Sequence, residues 1–125
     1  MALLPNDNRL VRGETIIVES NGAVRVAGAG SSAPSAASAT LSSVVADDLS
    51  VTLLAANSSR KMATVYNASD KNLYLKLGSV ASITSFTLKM VPNSYFELPV
   101  PVYTGIIDGI WDASPTGNAL VTEMV

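Results

Sequence analysis

The chain has 125 residues, 48% of them apolar and 14% charged, with eight cations against ten acids for a net charge of −2. That length suits one compact domain, and the scattered cations give no electrostatic footprint for nucleic acid. No apolar run approaches the roughly 20 residues that a membrane-spanning helix needs, so no membrane partner is expected.

The chain has neither Cys nor His. Disulfides, thiolate nucleophiles, imidazole acid–base chemistry and most transition-metal ligand sets are thereby excluded. Carboxylates and hydroxyls remain. Asp47-Asp48 reads as a solvated turn, and Asp108 and Asp112 would stand about 13 Å apart along a strand, too far to share an ion unless a turn folds them together. Gly28-Ala29-Gly30 lacks the full glycine pattern of a phosphate loop. No enzyme activity, cofactor or metal is expected.

In chain order, Pro5 to Arg9 is turn-forming and without period. Met1 to Val11 has no basic and hydrophobic leader, so synthesis in a cytosol is expected and the sequons at Asn57 and Asn67 are read as chance matches. Glu14–Glu19 and Ala23–Ala27 are β-branched runs joined by Ser20-Asn21-Gly22. Asn-Gly supplies the positive φ angles of a two-residue type I′ turn, which predicts a hairpin. Ile16, Val18, Val24 and Val26 alternate within it and are the candidate protein-interface anchors. Gly28 to Thr40 has no bulky side chain to offset the entropy of ordering it and reads as a linker. Residues 1–40 are therefore expected to form an arm with a hairpin.

From Leu41 to Val125 the period is two, segment after segment. Strands are predicted at Ser50–Leu54, Met62–Tyr66, Leu73–Leu77, Phe86–Met90, Tyr95–Leu98, Ile106–Trp111 and Leu120–Val125, with turn-forming clusters between them. The expected core is Val65, Leu73, Leu75, Leu77, Phe86, Leu88 and Leu98. Short strands at this spacing predict an all-β fold, an antiparallel sandwich of jelly-roll type. For Trp111 two placements stand open: the core, or an exposed aromatic contact together with Tyr95 and Tyr103.

The stretch Arg60-Lys61-Met62-Ala63-Thr64-Val65-Tyr66-Asn67, leading through a polar turn to Leu73-Tyr74-Leu75-Lys76-Leu77-Gly78, then Ser85-Phe86-Thr87, Tyr95-Phe96-Glu97-Leu98-Pro99 and Tyr103-Thr104-Gly105-Ile106-Ile107-Asp108-Gly109-Ile110-Trp111, resembles a β-module of tailed-bacteriophage virion proteins. The resemblance covers about two-thirds of the chain. It implies a structural virion component, as in head decoration (cement) proteins that bridge subunits of the major capsid protein on the capsid surface. It also leaves a fibre or receptor-binding module that contacts a host glycan or surface protein. The low charge fraction suits buried subunit faces, and self-association as a trimer is expected. The arm is expected to supply most of the attachment.

Overall fold

The computed structural model describes the strand residues 16–18 and 24–26 by their backbone, and residues 35–125 in full. Contacts divide the chain into two compact units, Met1–Pro34 and Ser35–Val125. The division falls ahead of the boundary that composition suggests, because Ala39 and Thr40 belong to a strand of the second unit.

In the first unit, β1 (Ile16–Val18) pairs antiparallel with β2 (Val24–Val26), Ile16 opposite Val26 and Val18 opposite Val24. The predicted hairpin is present, with the candidate anchors in opposed pairs. Its register leaves an odd number of residues between Val18 and Val24, whereas a two-residue turn closing an unbroken ladder leaves an even number. The turn itself, Ser20-Asn21-Gly22, lies outside the described residues.

The second unit is all-β. Its strands are β3 (Ala39–Val45), β4 (Val51–Leu54), β5 (Met62–Ser69), β6 (Leu73–Leu77), β7 (Leu88–Met90), β8 (Tyr95–Glu97), β9 (Ile107–Trp111) and β10 (Gly117–Met124). They form two antiparallel four-stranded sheets, ordered β3-β10-β5-β8 and β4-β9-β6-β7. The chain changes sheet at every connection except that between β6 and β7. The last strand of each sheet, β10 or β9, slots between the first and second strands laid down. This connectivity is that of a jelly roll, whose two interlocked Greek keys form a double-layered sandwich.

The core lies between the sheets and follows the period-two pattern. On β5, Ala63, Val65, Asn67 and Ser69 are buried while Met62, Thr64, Tyr66 and Ala68 are half-exposed. Leu73, Leu75, Val121, Ile107 and Trp111 are buried beside Leu53, Met90 and Leu98. Gly109 leaves room for the core leucines beside its strand, since a Cβ there would stand 2.8 Å from Leu73 Cδ1 and 3.0 Å from Leu53 Cδ1 and would make those side chains shift.

Val65, Leu73, Leu75 and Leu98 are core residues as expected, and Leu77 and Leu88 pack against the core half-buried. Phe86 is not. It is 40% exposed, because the third strand of its sheet begins only at Leu88 and Phe86 sits in the preceding loop with its ring edge-on to Tyr74, centroids 5.0 Å apart. The alternation of Phe86, Leu88 and Met90 belongs to strand only in its second half.

Among the buried polar residues, Asn67 and Arg60 tie the layers. Trp111 is buried, and its Nε1 donates to Asn67 Oδ1 at 3.2 Å. Asn67 Nδ2 donates to the carbonyls of Lys71 and Met90, and Ser69 Oγ donates to Asn67 Oδ1. A buried amide so fully partnered rigidifies the core and costs little. Asn67 therefore stands within the sandwich, where the sequon it heads is out of reach.

Arg60 is the second node. Its Nε donates to Glu123 Oε2 at 2.7 Å, Nη1 to the carbonyls of Tyr103 and Gly105, and Nη2 to the carbonyl of Ala55. The planar guanidinium fork thus joins β10 to the loops before β5 and β9, a set of directed bonds that a lysine could not make.

Candidate interaction surface

The strand registers place the outward side chains of the β3-β10-β5-β8 sheet in rows. Ala39, Met124 and Met62 form the first row, and Leu41, Thr122, Thr64 and Glu97 the second. Ser43, Leu120, Tyr66 and Tyr95 form the third, and Val45, Asn118 and Ala68 the fourth. Glu97 is the one ionisable carboxylate in these rows, and there is no cation. Leu41 is 76% exposed, Val45 70%, Tyr95 61% and Leu120 47%. Tyr66 fixes its hydroxyl by donating to Asn93 Oδ1 at 3.0 Å. Large exposed side chains in contiguous rows, with a polar rim, are the usual anatomy of a surface that becomes buried. A shallow depression of about 300 Å³ lies where β3 meets β10, lined by Leu41, Ser42, Ser43, Leu120, Val121 and Thr122.

The outer face of the second sheet is built differently. Asp108, Lys76, Tyr74 and Lys89 are presented there, and the loop of residues 78–87 meets the first three while Lys89 stays exposed. Val80 N–H donates to Asp108 Oδ2 at 2.6 Å, Ala81 N–H to Ser50 Oγ, and Leu77 N–H to Thr87 Oγ1. Lys76 Nζ donates to the Val80 carbonyl and to Ser85 Oγ. Lys89 Nζ stands 6.0 Å from the Tyr74 ring centroid, at the limit of a cation–π contact. Burial raises the Tyr74 phenol above its ordinary value, and Asp112 beside it adds to the rise.

The sequence-derived candidates are dispersed. Tyr95 is exposed on the first sheet, Tyr103 is half-buried against the core, and Trp111 is buried, so the three do not make an exposed aromatic cluster. Trp111 takes its other reading because it sits on the central strand β9, opposite Leu73. The anchors Ile16, Val18, Val24 and Val26 lie on the β1–β2 hairpin, whose side chains are outside the described residues. Asp47 Oδ1 accepts from Leu49 N–H in a turn. Asp108 faces the 78–87 loop and Asp112 accepts from Asn72 Nδ2, so each carboxylate serves a separate structural bond.

The exposed residues that the sequence reading passed over, Leu41, Val45 and Leu120, have a common cause. The run Ala39-Thr40-Leu41-Ser42-Ser43-Val44-Val45 mixes Ser among β-branched residues with no apolar alternation, because almost all of it is exposed on both sides. The usable signal was the lack of any charge in that run. Comparison with protein-family models, curated proteins and solved structures found no match.

Proposed function

We propose that the protein is a structural component of a tailed-bacteriophage virion, a capsid decoration protein that stabilises the head by bridging subunits of the major capsid protein. The observation that carries this reading is the outer face of the β3-β10-β5-β8 sheet, where Leu41, Val45, Leu120 and Tyr95 are exposed in contiguous rows beside a single carboxylate. A rigid jelly roll with such a face is suited to act by interface burial. Each copy would add contact area between neighbouring coat subunits, and attachment at more than one point would multiply its effect.

In this reading the β1–β2 hairpin adds attachment of its own, with Ile16, Val18, Val24 and Val26 as anchors. Extended segments of this kind bind by adding strands to another sheet. The second reading, a fibre or receptor-binding module, is favoured by Tyr95 alone, an exposed ring beside Tyr66 that could stack on a host glycan.

Imaging purified particles with and without the protein, and counting its copies, tests the proposal. Copies distributed over the whole head, with particles lacking the protein losing genome more readily on heating, are the expected result. A few copies at one vertex or on a fibre would refute decoration and favour the receptor-binding reading.

A further inference from the structure

Three of the four edges of the second unit's two sheets carry a device that blocks further strand pairing. The edge strand β8 is three residues long and bears Glu97, and β7 is equally short and bears Lys89. The ladder of β4 is broken by a register shift at Ile107 and Asp108 of its partner. Short strands, charges and bulges are the usual protections of an edge. The remaining edge strand, β3, has none. It runs seven residues in unbroken register with β10 and contains no charge, proline or bulge.

The hydrogen-bond alternation decides which of its backbone groups are free. Ser38 and Val125 exchange both of their backbone bonds, and Ala46 N–H donates to the Gly117 carbonyl. In an antiparallel ladder such mutual pairs recur every second residue, so Thr40, Ser42 and Val44 point their N–H and C=O groups at β10. Those of Ala39, Leu41, Ser43 and Val45 point away, and among the described residues they have no backbone partner.

We infer that this edge pairs with β3 of a second copy, antiparallel about a two-fold axis through Ser42, to make one continuous eight-stranded sheet. The register follows from the geometry. With Ser42 on the axis, Leu41 falls opposite Ser43 of the other copy and Ala39 opposite Val45, so every outward-pointing residue enters a mutual hydrogen-bonded pair. Moving the axis to Leu41 or Ser43 leaves one of them out.

Side chains agree with the backbone. The axis keeps both outer faces on one side, joining Leu41, Val45 and Leu120 of each copy into one apolar stripe. Asp47 and Asp48 fall opposite Ala37 and Ala36 of the other copy, so no like charges meet. A two-fold contact of this kind is isologous and closes at two subunits, in place of the trimer expected from composition. It does not depend on the virion reading.

The test uses the full chain, which has no native cysteine. Ser42 on the axis is a non-hydrogen-bonded pair with Cα atoms about 4.5 Å apart, inside the range a disulfide spans. Ser42→Cys should therefore oxidise to a covalent dimer, while Thr40→Cys, displaced from the axis, should not. Sedimentation at micromolar concentration should show a dimer. Ser43→Pro removes an N–H that points away from β10, so it should leave the thermal transition of protein dilute enough to be monomeric nearly unchanged and weaken dimerisation roughly tenfold to a hundredfold. Ser43→Lys should have the same direction of effect. Ser42→Pro, which removes a bond to β10, should instead lower the thermal transition. A monomeric or trimeric wild-type chain, or a Ser42→Cys chain that forms no disulfide under oxidation, would overturn the inference.

Discussion

The outer sides of the two sheets solve the same problem in opposite ways. On the β4-β9-β6-β7 sheet, the strands present Asp108, Lys76 and Tyr74, and the chain supplies its own cover in residues 78–87, which meet them with hydrogen bonds and an aromatic contact. On the β3-β10-β5-β8 sheet the outward residues are chiefly Leu, Val, Met, Tyr, Ser and Thr, with Leu41 and Val45 more than two-thirds exposed. A jelly roll needs only its two inner faces buried to be stable. An outer face covered by the chain's own loop is a stability feature, whereas one left apolar and exposed among the described residues is not needed to hold the sandwich together.

Mutations on the three surfaces should separate in size, and the interior sets the scale. Leu75 is fully buried between the sheets, and Leu75→Ala should destabilise the protein by about 2 to 5 kcal/mol in denaturant unfolding. A cost under 1 kcal/mol would show that the sheets do not pack on one another there.

The covered face should come next. Asp108→Ala leaves the Val80 amide without its acceptor, with an expected cost of about 1 to 3 kcal/mol and faster hydrogen exchange at Val80 and Ala81. Unchanged exchange at both amides would mean that the carboxylate does not hold the loop down.

Phe86→Ala tests the rim of the same cover. Edge-to-face contact with Tyr74 is expected to contribute about 0.5 to 1.5 kcal/mol, far below the cost for a core phenylalanine. A loss of about 3 kcal/mol or more would place the ring in the core after all.

The smallest effect belongs to the open face. Leu41→Ala should change the unfolding free energy of dilute protein by no more than about 0.5 kcal/mol, while reducing whatever association the face supports. A large loss of stability in dilute protein would mean that Leu41 is buried by its own chain, and the contrast between the two faces would collapse.

Much of the fold was legible because a half-buried strand writes its burial into the sequence. Val65, Leu73, Leu75 and Leu98 stand at alternate positions in runs bounded by turn formers, and period two leaves no other regular structure that could bury them together. β3 was not legible for the converse reason: a strand buried on neither side has no pattern to show. Arg60 gave no signal, since its place among the Ala55, Tyr103 and Gly105 carbonyls is assembled from segments far apart in the chain. Of the candidate contacts, Tyr95 stands exposed, whereas Trp111 was drawn inside by its position on a central strand.

By itself, then, the sequence determined the class of structure, because turn residues and alternating apolar positions are local properties that each segment carries alone. It also determined the chemistry that is absent, since a chain without His or Cys cannot supply imidazole or thiolate. Tertiary structure decided the order of strands in each sheet, and with it which strands lie at an edge, which outer face the 78–87 loop covers and which it does not. Those are outcomes of pairing between segments distant in the chain, where hydrogen bonding and burial depend on the neighbour and no single segment contains the answer.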